Sequence, residues 1–173
     1  MNTKLPLILT LITISILVGC RNYYELTDQQ KQLANALKDV TQKYVDDNFG
    51  KSVFGGKAFC AYQVLDIEAV DGGKYINEYL WATCQEYYLK HDKLETGRGI
   101  GLPIALFIQL DGTYKINSQR IPRDGSMYSY DIENIFPKRT HKEIFAHEIA
   151  DRLVGQTRQE AEDYYKKERH NNR

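Results

Sequence analysis

Apolar positions between residues 28 and about 48 recur at three and four, as Leu33, Leu37, Val40 and Tyr44 with Ala36 and Val45 beside them. That spacing predicts an amphipathic helix with one buried stripe. Thr27-Asp28-Gln29-Gln30 in front of it has the form of a capping box, and Asn48-Phe49-Gly50 ends it. After a glycine-rich passage, residues 50 to 57, the period falls to two. Lys57 to Val70 and Tyr75 to His91 are β-branched and aromatic runs joined at Asp71-Gly72-Gly73. The second run is apolar on both faces, with Ile76, Leu80, Ala82 and Cys84 against Tyr75, Tyr79, Trp81 and Tyr87, as in a strand covered on both sides or lined with rings on one. A third strand alternates from Ile100 through Leu102, Ile104, Leu106 and Ile108 to Leu110, so one face is core. Asp111-Gly112 turns the chain into a fourth strand, Thr113 to Ile121, which Pro122-Arg123-Asp124-Gly125 stops.

Helical spacing returns at Ile132, Ile135 and Phe136, a short helix before Pro137. Thr140-His141-Lys142-Glu143 resembles a second capping box, opening a helix with Ile144, Phe145, Ile149 and Leu153. Gly155 is expected as its C-cap, with a polar helix capped at Thr157 behind it and fraying from Tyr164 to Arg173. Runs of strands and runs of helices, without strand–helix alternation, indicate an α+β fold: an N-terminal helix on a four-stranded antiparallel meander, followed by C-terminal helices. This element order is similar to the cystatin and nuclear-transport-factor type of cone, a resemblance that implies a curved sheet with a concave, ring-lined face.

The first twenty residues follow another logic. A short cationic start at Met1-Asn2-Thr3-Lys4, an apolar run from Leu5 to Val18 and small residues before a cysteine are the marks of a secretory signal. Leu17-Val18-Gly19-Cys20 resembles the lipobox of bacterial lipoproteins. The resemblance implies cleavage before Cys20, a diacylglycerol-modified thiol with palmitate-type acyl chains, and an extracytoplasmic, membrane-anchored protein of the cell envelope. Two acyl chains supply the stable anchoring that one cannot. The expected organisation is a signal peptide over 1–19, a lipid-anchored linker over 20–26, a single α+β domain over 27–168 and a frayed tail over 169–173. Tyr79 to Tyr87, Pro122 to Tyr128 and Asp131 to Pro137 are also similar to small extracytoplasmic modules of uncharacterised bacterial lipoproteins, some attached to membrane-bound β-lactam-sensing metallopeptidases. That family implies no reaction.

Without residues 1–19 the 173-residue chain has 154 residues, 22 Lys plus Arg and 23 Asp plus Glu. A length of that order fits one core, and a balance so near neutral gives no electrostatic case for nucleic acid as a partner. Assigning Cys20 to lipid leaves Cys60 and Cys84, a pair that an oxidising compartment permits to bridge. With a three-residue loop at Asp71-Gly72-Gly73, paired residue numbers sum to 144 and Cys60 faces Cys84. A loop of two or four residues shifts the pairing by one and defeats the bridge, leaving two buried thiols.

Motifs for catalysis are weak. His147 and Asp151 share a helix face near His141 and Glu148, but the second histidine of a zinc-binding His-Glu-x-x-His is missing, so no metal is expected. The glycine pairs precede strands or sit in hairpins rather than opening a helix, which removes phosphate cradles and nucleotide cofactors. No inward-facing acid or histidine stands out on the strands. Thirteen tyrosines are the compositional excess. Tyr79, Trp81 and Tyr87 on the second strand, with Arg120 and Arg123 at the end of the fourth, form the expected ligand surface. The expectation is a non-enzymatic, lipid-anchored binding or sensing module. Its alternatives are a small enzyme of the cone class with a pocket acid or base, and a structural envelope protein that contacts a partner protein through a sheet edge.

Overall fold

A computed structural model describes residues 24–146 and 148–171. The signal segment, Cys20 and His147 lie outside the described residues. Helix α1 spans Asp28–Phe49, strands β1 Lys57–Val70, β2 Tyr75–Lys90, β3 Lys93–Asp111 and β4 Thr113–Arg120, and helices α2 Tyr128–Ile135, α3 Lys138–Ala146 and α4 Glu148–Asn171. The strands form one antiparallel sheet in the order β1-β2-β3-β4. The fold is α+β, with an N-terminal helix, a four-stranded meander and C-terminal helices.

The capping box at Thr27 and Gln30 is formed, and Gly50 closes α1 with its amide on Asp46. The helix lays Leu37, Thr41 and Val45 on one face of the sheet, where they meet Cys60, Ile67, Ile76, Leu80, Cys84, Ile104, Leu106 and Ile108. The other face carries a second core of Ala61, Leu65 and Trp81 against Ile132, Phe136, Ile144, Ile149 and Leu153 of the C-terminal helices. A third cluster, Phe59, Tyr87 and Ala161, extends it along α4. The apolar character of both faces of β2 therefore reflects helices on both sides, and the concave ring-lined face implied by the cone likeness is occupied over β1 and β2.

Several boundaries differ from the sequence expectation. Helix α4 runs through Gly155, and Thr157 is no cap; it is buried, with its hydroxyl 2.9 Å from the Val154 carbonyl and 3.2 Å from the Tyr87 hydroxyl. Thr140 is likewise no cap: α3 begins at Lys138, the Thr140 hydroxyl donates to the Pro137 carbonyl, and Glu143 accepts from the Tyr24 amide. The expected frayed end is helical to Asn171 because Tyr164 and Tyr165 dock: Tyr165 donates to the Tyr87 carbonyl at 2.7 Å, and the Lys57 ammonium sits 3.9 Å over the Tyr164 ring. Strand β3 starts seven residues before Ile100, from a two-residue turn in which His91 and Asp92 both have positive φ. Its first part, Lys93 to Gly99, is too polar and glycine-rich to show the alternation.

The hairpin between β1 and β2 reaches the expected pairing by another route. Val70 opposes Tyr75, so the loop has four residues, Asp71 to Lys74, and paired numbers near it sum to 145. An extra residue at Leu65 then forms a β-bulge, after which Val64 opposes Leu80 and Cys60 opposes Cys84. The two cysteines form a disulfide with Cα atoms 4.1 Å apart. The bulge also reverses the facing of β1. Even positions Cys60, Tyr62 and Val64 face α1, whereas beyond Leu65 it is Ile67 that does so, and Asp66 and Glu68 turn to the α3 side.

Candidate ligand groove

Five acids are buried among the described residues: Asp66, Glu78, Glu86, Asp131 and Glu143. The first three lie on β1 and β2, which corrects the expectation that no acid points inward from the strands. Each has a distinct environment. Asp66 is paired with Arg139 at 2.6 Å and accepts from Gln30 Nε2 at 2.9 Å, while Arg139 also reaches Glu68 at 2.7 Å. This network fastens the start of α1 and the start of α3 to the bulged end of β1. Glu86 accepts from the Ser52 hydroxyl and the amides of Val53, Phe54, Gly56 and Arg98, between 2.5 and 3.3 Å. Burial raises its pKa, but these donors outweigh burial and hold the carboxyl down at about 2. Gly97 is required there, because a Cβ would stand 2.7 Å from Glu86 Oε2.

Glu78 is different in kind. Its side chain lies between β2 and α1, where the Thr41 hydroxyl donates to Oε2 at 2.6 Å and Oε1 has no hydrogen-bond partner among the described residues. Burial pushes its pKa up to about 7, and the Thr41 bond offsets only part of that. The Tyr62 phenol beside it is raised to about 12, by burial first and then by the Glu78 charge.

The expected ligand surface is divided by the C-terminal helices. Tyr87 and Trp81 are core residues, 1% and 3% exposed, the first beneath α4 and the second against α2 and α3. Arg123 is matched: its Nε and Nη2 donate to the two Asp131 oxygens at 2.8 Å, and its amide donates to the same carboxylate. The Arg123 bonds, through the side chain first and the backbone second, hold the Asp131 pKa down at about 2. That pair clamps the segment after β4 onto α2 and leaves no open guanidinium fork for a ligand.

Tyr79 and Arg120 do come together. Helix α4 crosses β1 and β2, and beyond it the outer face of β2, β3 and β4 carries a groove of about 270 Å³ beside Ile135 of α2. Two cross-strand rows form its floor. Asn77, Phe107 and Ser118 oppose one another in turn, and Tyr79, Ala105 and Arg120 make the next row. The Phe107 ring is stacked on Tyr75 with centroids 5.1 Å apart, and Tyr79 is tilted against Phe136 at 5.9 Å, so the apolar wall is fixed by its neighbours. Burial, and then the charges of Glu68 and Asp66, raise the Tyr79 phenol, which stays a protonated donor. Arg120 is exposed at the rim and forms no ion pair among the described residues.

Asn77, Ala105, Phe107, Ser118 and Ile135 are absent from the sequence-level surface. The missing signal was register, because the β3–β4 pairing aligns Ser118 and Arg120 with Phe107 and Ala105. A second hollow of about 260 Å³ lies along the same face, where Trp81, Pro103, Ile121 and Tyr128 meet. A larger hollow of about 710 Å³ is lined, among the described residues, by the last turns of α4. Among the described residues no group of three His, Cys, Asp or Glu side chains is arranged to hold a metal ion. Comparison with family models, with curated proteins and with solved structures finds no match for this chain.

Proposed function

We propose that the chain is a lipid-anchored extracytoplasmic binding module whose ligand site is the groove of Asn77, Tyr79, Phe107, Ser118, Arg120 and Ile135. The observation that carries the reading is convergence: one cation and three polar side chains meet an aromatic and aliphatic floor outside the helix cover. A few placed polar groups in an apolar hollow are the usual form of a small-molecule site. The complementary ligand is a small monoanion with an apolar or aromatic body, its carboxylate on Arg120 and its body against Phe107 and Ile135. The anchor rests on the lipobox-like Leu17-Val18-Gly19-Cys20, and the Cys60–Cys84 bridge fits the oxidising side of a membrane.

The reading as a small enzyme draws on Glu78, a buried acid with a near-neutral pKa. Glu78 faces α1, however, while the groove opens on the opposite face of β2, so the acid and the hollow do not share a site. Titrating the protein with phenylacetate while following backbone amide shifts tests the groove. Saturable shifts are expected at Asn77, Tyr79 and Ser118, with affinity falling roughly ten-fold or more in Arg120→Ala, the loss of one charge-assisted bond. Absence of saturable shifts there with phenylacetate and with its sulfonate and phosphonate analogues contradicts the assignment.

A further inference from the structure

Two hollows adjoin on the outer face of β2 and β3, and the charges at their rims are opposite. The row of Tyr79, Ala105 and Arg120 lies in the groove. The next row on the same face pairs Trp81 with Pro103, and both residues line the second hollow of about 260 Å³. Residues two apart on a strand are separated by about 7 Å, so one row divides the two. Gly101, the next residue of β3 on that face, carries no side chain, and β3 leaves open the space above Thr83 and Trp81.

The segment after β4 supplies the wall. Ile121 and Pro122 line the second hollow, and the Arg123–Asp131 clamp fixes the course of the chain beyond them. The Tyr128 ring adds to the wall and is held in edge contact with Phe145 at 6.3 Å. Asp124 is the one charged side chain lining this hollow among the described residues. It is exposed and enters no ion pair among them. Burial, and then the Asp124 charge, raise the Tyr128 phenol, so the carboxylate stands close to that ring. Of the arginines nearest in sequence, Arg123 is taken up by Asp131 and Arg120 stands in the adjoining groove.

We infer that the two hollows take one ligand, a free α-amino acid with an apolar or aromatic side chain: its carboxylate on Arg120, its ammonium on Asp124 and its side chain against Phe107 and Ile135. This rests on the groove reading and adds a cation to the anion proposed there. A simple monoanion answers Arg120 and leaves Asp124 unmatched, an amine does the reverse, and a zwitterion answers both. Two charge-assisted bonds of about 2.8 Å, joined through the single carbon between ammonium and carboxylate, span a distance of the order of one row. The Tyr128 ring beside Asp124 adds a surface that favours a cation.

The test titrates the full chain with L-phenylalanine and with its two truncated forms, 3-phenylpropionate and 2-phenylethylamine, following backbone amide shifts. Phenylalanine is expected to bind about five-fold or more tighter than either, the effect of one charge-assisted bond at an exposed site. Its shifts should extend from Asn77, Tyr79 and Ser118 to Gly101 and Tyr128, whereas those of 3-phenylpropionate stay in the groove. Asp124→Asn should bring phenylalanine down to the level of 3-phenylpropionate and leave 3-phenylpropionate itself unchanged. The Asp124 side chain makes no cap bond in its turn, so this variant keeps the fold. Suppose phenylacetate or 3-phenylpropionate binds in the groove and phenylalanine binds no tighter, or keeps its advantage in Asp124→Asn. That result overturns the inference and leaves the groove standing. If neither phenylalanine nor the two monoanions shift the groove residues saturably, the groove reading falls and the inference with it.

Discussion

Glu78 and Glu86 both point from the same face of β2 and differ by eight residues, yet their environments drive their ionisation in opposite directions. Among the described residues five donors surround the Glu86 carboxylate, whereas Glu78 has the Thr41 hydroxyl alone. For Glu78 the folded-state pKa of about 7 lies above the ordinary 4.5. Between those values the folded protein keeps a proton that the unfolded chain has released. Its contribution to stability is therefore complete below about pH 4.5 and is lost as pH rises through about 7. Glu78→Gln should flatten that fall in urea unfolding measured across this range. The variant should be more stable than the parent by up to about 3 kcal/mol on the alkaline side and close to it in acid. A variant that keeps the parent's full pH slope contradicts this assignment. These acids were legible in principle: Glu78 and Glu86 occupy even positions in the run that Ile76, Leu80 and Cys84 define as core. The partners that make burial tolerable, Thr41 and the loop amides, come from segments that periodicity does not bring together.

At the scale of elements, hydrophobic period carried most of the architecture. The helix over 28–49, the capping box at Thr27 and four meandering strands follow from spacing, because each element has one face that must be buried. The failures came from local signals overruled by packing. Gly155 has the residue type of a cap, but Ile149, Leu153, Thr157 and Ala161 continue one buried stripe through it, and the helix follows the stripe. The β1–β2 hairpin had the right cysteine pairing from the wrong loop: four loop residues displace the register by one, and the bulge at Leu65 restores it. The resulting disulfide spans 24 residues of sequence and ties the strands beneath the C-terminal end of α1. Closing a loop of that size stabilises a fold by about 3 kcal/mol through the unfolded chain. Cys60→Ala with Cys84→Ala, or reduction of the parent, should lower unfolding free energy by about that amount in a denaturant titration. A change near zero would mean that the bridge constrains nothing the ladder does not already fix.

For the whole molecule, the sheet with α1 on one face and α2–α4 on the other has two cores, and the uncovered part of the outer face over β2–β4 is where the groove forms. That division explains why only two of the five residues expected at the ligand surface, Tyr79 and Arg120, meet there. Aromatic alternation on β2 reads the same whether a helix or a ligand covers it, and the reach of α4 is set by Tyr164 and Tyr165 docking on Phe59, which no local pattern announces. Anchor, bridge and groove are the three parts of the proposed reading of the chain as a lipid-anchored binding module of the cell envelope. The intact mass of the native protein extracted from membranes, taken before and after reduction and alkylation, tests that account most directly. The account predicts residues 20–173 carrying a diacylglycerol adduct, with two further thiols alkylated only after reduction. An uncleaved, unacylated chain with three alkylatable thiols before reduction would contradict it.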